Sequence, residues 1–424
     1  MKGLFDALEQ KNRPRKTSSA KDFSVSRSGA SLTIASSVSS KSASAFAPSS
    51  SSSGYHDYHI ESKQRARTIV EITRKTLLGL LDNENENENE NEFENECTFP
   101  SNNKNQKNFQ YLSRDELLIG ERLATGGFGC ILQVHASTLS SSNKYVMKTL
   151  IPMSRAASDA KLISAAHQLA KERYFLSNLS HPNIISMYAM SKGGLSVIQE
   201  TRRLDSYFII EEYMPILLVD QIQIWRQKQS HHRQYRWNFK KKMNPQVFLE
   251  QITCAVQIAS ALHYLHQERV IFRDVKSANI GISAQRQAKL FDFGLAVQLP
   301  KDADLDALQP SLGGSRVGTI RMMATEVLRK QPYNVKADVF SFALLLWEMI
   351  ILDQRPPEGG CGVYGSRPFL PSHWPFTLKR ILERAWADDF QNERPHMSEV
   401  LVFLQDLQRQ LLSELDARKQ KSRK

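Results

Sequence analysis

Two short stretches constrain this chain more than any other part of it: Val270-Ile-Phe-Arg-Asp-Val-Lys-Ser-Ala-Asn-Ile280, and then Lys289-Leu-Phe-Asp-Phe-Gly294. The first holds a carboxylate, an ammonium and a carboxamide within six residues, at Asp274, Lys276 and Asn279. The second adds Asp292, with seventeen residues between it and Asp274. Together they offer a proton acceptor, a cation and oxygen ligands for a hard divalent metal. Either peptide alone is a weak signal. Both, in this order and at this spacing, are a specific one.

The pair resembles the catalytic loop and the Asp-Phe-Gly turn of the protein kinase family. Phosphoryl transfer needs a carboxylate to receive the hydroxyl proton, a cation to offset charge on the moving phosphate, and oxygen ligands for magnesium. The resemblance implies Asp274 for the first role, Lys276 for the second, and Asn279 with Asp292 for the third. It also implies a two-lobed α+β fold, with a small, mainly antiparallel β lobe carrying one helix and a larger, mainly helical lobe. ATP and Mg2+ are the cofactors it implies.

Upstream, Leu123-Ala-Thr-Gly-Gly-Phe-Gly-Cys-Ile131 lies between two strand-like segments and matches a glycine-rich nucleotide loop. Gly126 and Gly129 let backbone N–H groups approach phosphates with no Cβ in the way. Gly127 sits between them, Phe128 caps the loop, and Leu123 and Ile131 complete the nucleotide set. Ala124 replaces the first glycine of the family pattern. Tyr145-Val-Met-Lys148 fits the strand of the ATP-binding lysine. Its partner is Glu172, on a helix over 157–179 and nine residues before His181-Pro-Asn-Ile184. Tyr207 to Met214 reads as the last small-lobe strand and the hinge, where Glu212 and Met214 give adenine its backbone contacts. Glu211 then takes the gatekeeper position, usually apolar or threonine. A carboxylate there needs a partner or suffers a desolvation cost, and it can compete with Glu172 for Lys148.

Asn244-Pro245 opens a helix whose apolar face is Phe248, Ile252, Ala255, Ala259 and Leu262. In the catalytic loop Phe272 stands where the family has histidine. Arg273 is kept, and in the family an arginine at this place often pairs with a phosphate on the activation segment; Lys276 points to serine/threonine specificity. That segment runs from Asp292 to Glu326, with Ser311 and Ser315 as candidate phosphosites and Thr319 near the base and lysine. Met322 replaces a common tyrosine and Thr325 the usual proline. Glu326 is expected to pair with Arg394, and Asp338 to tie down the catalytic loop. Trp347-Glu-Met349 and Ala385-Trp386 resemble the tyrosine-kinase-like group of serine/threonine kinases. A final amphipathic helix is expected over Met397 to Leu411.

The rest of the chain is different in kind. Its 424 residues average 41% hydrophobic, but a polar first quarter dilutes that figure, so one two-lobed domain of about 300 residues fits better than three equal ones. Residues 1–112 read as largely disordered, through a serine-rich tract from Thr17 to Ser53 and an Asn-Glu alternation from Asn83 to Glu92. A helix over 62–81, with Ile69, Ile72, Leu77 and Leu80 near one face, reads as a transient helix in a linker, with docking on the catalytic domain or a membrane surface as alternatives. The domain spans 113–412, divided near Met214 into lobes 113–214 and 215–412, and 413–424 is a basic tail. The net charge of +12 admits acidic partners or simply solvated loops. An acidic partner at the basic segment 226–242 is one such reading, a solvated loop the other, and nucleic acid is disfavoured. Cys97, Cys130, Cys254 and Cys361 form neither a zinc pattern nor a disulfide framework, which suggests a reducing compartment, cytoplasmic or nuclear. Ala43-Ser-Ala-Phe-Ala-Pro48 resembles a plastid-targeting cleavage motif, the lesser alternative. No apolar run reaches membrane-span length. The leading functional reading is an ATP-dependent serine/threonine kinase acting on proteins in signalling. The alternative is a pseudokinase scaffold, suggested by the departures at Ala124, Glu211, Phe272 and Thr325.

Overall fold

The computed structural model describes residues 60, 63–81, 109–125, 129–150, 158–234, 243–357, 359–360 and 367–422. The serine-rich tract, the targeting-like motif, the Asn-Glu alternation and residues 126–128 and 235–242 lie outside that set. All described residues belong to the unit that runs from His56 to Lys424.

The small-lobe side opens with helix α1 (Lys63–Leu81), then strands β1 (Gln110–Leu112), β2 (Leu118–Thr125), β3 (Cys130–His135) and β4 (Tyr145–Thr149). Helix α2 (Asp159–Asn178) precedes β5 (Met187–Ser191), the short α3 (Ser196–Thr201) and β6 (Phe208–Glu212). Among the described residues six strands form one sheet, ordered β1-β5-β6-β4-β3-β2, with only β1 and β5 parallel. Alternation sends successive side chains to opposite faces. Tyr145, Met147, Phe208 and Ile210 join Leu132 and Val134 in a core on one face. Val146, Lys148, Ile209 and Glu211 therefore turn to the other, toward α2. The root of the glycine-rich loop is tight. A Cβ on Gly129 would lie 2.3 Å from the Thr149 carbonyl oxygen, so only glycine lets the strand return past β4.

The second lobe continues with β7 (Ile216–Leu217), α4 (Leu218–Gln234), α5 (Pro245–Gln267), β8 (Val270–Ile271), β9 (Ile280–Ile282), β10 (Ala288–Leu290) and β11 (Val297–Gln298). It closes with α6 (Thr325–Leu328), α7 (Lys336–Ile351), α8 (Phe376–Ala385) and α9 (Met397–Ser422). Asn244 caps α5, its side chain accepting from the N–H groups of Gln246 and Val247, and Pro245 at the first turn adds no unsatisfied donor. The expected face of α5 is buried. Helix α7 is buried from Lys336 to Ile350. No helix among the described residues is long and apolar enough to cross a membrane. Two small sheets, β10-β9-β7 and β11-β8, frame the catalytic loop between β8 and β9 and the Asp-Phe-Gly turn between β10 and β11. The two-lobed α+β architecture is the expected one.

Three local expectations need correction. Residues 63–81 are a docked helix rather than a transient one. The buried stripe is Ala66, Ile69, Val70 and Thr73, while Ile72 is exposed, and α1 packs on α2 and α3. The side chains of Leu77 and Leu80 lie outside the described set. The basic segment begins inside α4 rather than in a loop, and its first cations have partners within the chain. Arg226 pairs with Asp353 at 2.8 Å and Lys228 with Glu250 at 2.9 Å. The last helix runs on to Ser422, so most of the basic tail is an exposed helical extension.

Candidate active site

The catalytic loop gathers its charged groups because its backbone is held from below. Asp338, at the start of α7, accepts from the Phe272 N–H (2.8 Å) and the Arg273 N–H (2.8 Å), and His266 Nε2 lies 3.1 Å from the same carboxylate. Arg273 adopts a left-handed φ of 68° and donates from Nε to the Leu295 carbonyl at 2.6 Å. That anchorage presents Asp274, itself buried, to a cluster of donors. Lys276 Nζ donates to Asp274 Oδ2 at 2.5 Å and to Thr319 Oγ1 at 3.1 Å. Thr319 Oγ1 donates to Asp274 Oδ1 at 2.7 Å. Asn279 Nδ2 donates to Asp274 Oδ2 at 2.9 Å and to its backbone oxygen at 3.1 Å, which orients the amide and leaves Oδ1 as its acceptor end. The activation segment meets the loop at Gly318, at φ 105°, where a Cβ would lie 2.3 Å from the Arg273 carbonyl oxygen. No other residue fits there.

On the sheet side, Lys148 is ion-paired with Glu172 of α2 and lies 3.1 Å from Asp292 Oδ1. Burial alone would lower the Lys148 pKa, but Glu172, Asp292 and Glu211 around it outweigh that and raise it. Asp292 is held below the usual carboxylate range by Lys148, against burial, with help from Lys276. Its backbone is left-handed, φ 68° and ψ 69°. Glu211 falls where strand alternation puts it, on the Lys148 face, two residues along β6 from Ile209, which pairs with Lys148. Burial, followed by Glu172, pushes its carboxyl up to about 8, and its Oε1 has no hydrogen-bond partner among the described residues. So at Oε1 the desolvation cost expected of Glu211 is not offset by a hydrogen bond among the described residues.

Two of the departures from the family pattern, Phe272 and Thr325, have structural accounts. Phe272 packs edge-on against Phe293 with ring centroids 5.1 Å apart, and Phe293 lies 6.1 Å from Phe175 of α2. An apolar column thus runs from α2 to the catalytic loop where an imidazole would sit. Thr325 Oγ1 donates to Asp388 at 2.9 Å, a contact proline cannot make. Glu326 and Arg394 form the expected buried pair at 2.7 and 3.2 Å, and Arg394 also donates to the carbonyls of Lys336 and Ala387.

At the hinge, the Glu212 side chain is taken by Lys289 Nζ at 2.6 Å and by the Ser186 N–H at 2.8 Å. Its own N–H goes to the Ser186 carbonyl. Met214 covers Gly281 of β9, and among the described residues no backbone bond takes its N–H. Leu123 is exposed and Ile131 half-buried, whereas Gly126, Gly127 and Phe128 lie outside the described set. One charged group was missed by sequence reasoning. Lys171, the neighbour of Glu172, is buried; burial first, then Arg273, pushes its pKa down to about 7.

The protein kinase domain profile matches residues 118–358. The chain belongs to the protein kinase family. The chain is 33% identical to the serine/threonine-protein kinase STY46 of Arabidopsis thaliana over 175 residues, 40% of this chain and 29% of that one. It is 30% identical to the probable serine/threonine-protein kinase drkC of Dictyostelium discoideum over 250 residues, 56% of this chain and again 29% of the relative. With the Arabidopsis serine/threonine/tyrosine-protein kinase HT1 the figure is 27% over 298 residues, 68% of this chain and 66% of that one. The chain therefore spans under a third of the first two relatives and about two thirds of the third. The matched relatives are of the tyrosine-kinase-like group, as Trp347-Glu-Met349 and Ala385-Trp386 suggested. Membership implies ATP and a divalent metal. The residues present fit a hard cation: the Asp292 carboxylate and the Asn279 amide oxygen, whose amide nitrogen is engaged by Asp274, are of the donor type such an ion takes when phosphates and water supply the rest.

Proposed function

We propose that residues 113–412 form an ATP-dependent serine/threonine protein kinase domain, using Mg2+ and transferring the γ-phosphate to hydroxyls of protein substrates in signalling. The observation that carries this is the hydroxyl already on the base: Thr319 Oγ1 donates to Asp274, with Lys276 Nζ on both. A substrate serine or threonine presents the same donor to the same carboxylate. Asn279 and Asp292 would hold magnesium, which would offset charge on the phosphoryl group that ATP supplies. Asp274 orients the substrate hydroxyl and takes its proton. Lys276 offsets charge on the transferring group, and Lys148, locked by Glu172, holds the α- and β-phosphates. The backbone of Glu212 and Met214 would receive adenine, and the loop from Leu123 to Ile131, whose sequence includes Gly126, Gly127, Phe128 and Gly129, would bind the phosphates. Positioning and preorganised charge do most of the work.

Lys171 is buried and feels the charge of Arg273; in this reading the two cations take a phosphate carried by the activation segment. Ser311 and Ser315, both exposed, are the candidate residues to carry that phosphate. The scaffold alternative drew on Ala124, Glu211, Phe272 and Thr325, of which Phe272 and Thr325 serve packing and a hydrogen bond. An acidic partner of segment 226–242 would rely on its later residues, since Arg226 and Lys228 are engaged internally. A reducing compartment, cytoplasm or nucleus, goes with this reading; the free thiols of Cys130 and Cys254 are buried. The test is transfer of labelled γ-phosphate from Mg-ATP to the protein itself and to a generic basic substrate, with Asp274→Asn alongside. Transfer that is lost in the variant supports the reading. No transfer by wild type, with or without activating phosphorylation, sinks it.

A further inference from the structure

Helix α1 takes no part in phosphate chemistry, yet it packs on the helix whose placement the site depends on. Its buried stripe of Ala66, Ile69, Val70 and Thr73 follows helical spacing. Polar contacts flank that stripe on both sides. Arg65 Nε donates to Asp159 Oδ1 at 2.6 Å in the first turn of α2, and an Arg74 NH2 group donates to Ser196 Oγ at 2.6 Å at the start of α3. The Ile60 N–H reaches the Arg202 carbonyl just beyond α3 at 2.8 Å. Helix α2 also rests on the Asp-Phe-Gly turn, where a Cβ on Gly294 would come 2.9 Å from Gln168 Cβ.

The Lys148–Glu172 pair is a contested one. Asp292 Oδ1 lies 3.1 Å from the same ammonium, and Glu211 stands on the same sheet face. If α2 drifts outward, Lys148 has other carboxylates to turn to, so attraction alone does not hold Glu172 in place. We infer that α1 is a positioning element for the Lys148–Glu172 pair, holding the outer side of α2 so that nucleotide binding and turnover depend on its contact. This inference rests on the kinase reading for turnover, but its structural part does not.

The test uses the full chain. Ile69→Asp puts a charge into the buried stripe, and Arg65→Glu sets like charges against Asp159. Each is made alone and with Glu172→Gln. Hydrogen exchange of α2 and α5 amides is followed, with affinity for a fluorescent Mg-ATP analogue and phosphate transfer. Couplings between distinct parts of one protein commonly lie between roughly 5- and 150-fold. We expect Ile69→Asp to speed α2 exchange and weaken nucleotide binding by about tenfold, with α5 exchange unchanged. In the Glu172→Gln background the same change should leave nucleotide affinity where it was. Arg65→Glu should act in the same direction more weakly and be rescued by Asp159→Arg. Unchanged α2 exchange, or an equal loss of affinity in both backgrounds, overturns the inference. If Ile69→Asp also releases α5, the charge-swap pair decides, and absence of rescue counts against. Should wild type transfer no phosphate, the kinase reading falls, while exchange and nucleotide affinity still decide this one.

Discussion

Replacing Glu211 with glutamine isolates the cost of a buried carboxyl beside the nucleotide lysine. Glu211 is 4% exposed. Burial, then Glu172, Asp292 and Glu212, push its pKa from the ordinary 4.5 to about 8 against the pull of Lys148. Below pH 4.5 the group is protonated in folded and unfolded chains alike and makes no difference. Between 4.5 and about 8 the unfolded chain releases a proton that the folded chain keeps, so stability falls as pH rises, and levels off above that window. Each pH unit is worth about 1.4 kcal/mol, giving a cost of about 3 kcal/mol at pH 7. Glutamine keeps the volume and cannot ionise. Glu211→Gln is therefore expected to stabilise the folded chain by about 3 kcal/mol at pH 7 and by under about 1 kcal/mol at pH 5. That corresponds to a rise in Tm of roughly 5–10 °C at pH 7. The assay is a series of thermal melts of full-length wild type and variant from pH 5 to 8, without nucleotide. An increment that is the same at pH 5 and pH 8, or a lower Tm at pH 8, would refute the reasoning.

Other outcomes follow from the same geometry. Asp274→Asn should lower phosphate transfer by roughly 10²–10⁴-fold while nucleotide affinity, read by titration, stays near wild type. Arg394→Met leaves Glu326 buried without its partner and should cost about 3–5 kcal/mol in denaturant melts, most of it recovered when Glu326→Leu is added. If a phosphate docks between Arg273 and Lys171, activity should rise on phosphorylation of the segment. Ser311→Ala with Ser315→Ala should abolish the rise and Lys171→Met should blunt it, whereas an unchanged rise in the double alanine variant would remove those serines from the account.

The parts of the site that could be read from sequence are those whose chemistry is local. Asp274, Lys276 and Asn279 share one loop, so their spacing alone shows the cluster that the structure assembles around the base. Thr319 and Glu172 depend on family spacing because their partners are distant in the chain. Lys171 was not legible: beside Glu172 it looks like an ordinary helical lysine, and only the fold buries it and brings the charge of Arg273 to bear on it. The stripe of α1 was misjudged for a different reason. Ala66 and Thr73 carry little hydrophobic weight, so Ile72 and the leucines seem better candidates, while the surface that selects the face belongs to α2 and α3. Likewise Arg226 and Lys228 read as solvated until Asp353 and Glu250 arrive from elsewhere in the chain.

The left-handed backbone at Asp292 limits what replacements there can report. Alanine would remove the carboxylate and also carry a conformational penalty of about 1–2 kcal/mol, so a failing variant would mix two causes. Asparagine tolerates that region of φ/ψ space and changes the charge with little disturbance of the chain path. The same constraint favours a carboxylate, a carboxamide or glycine at this position, whatever catalysis demands.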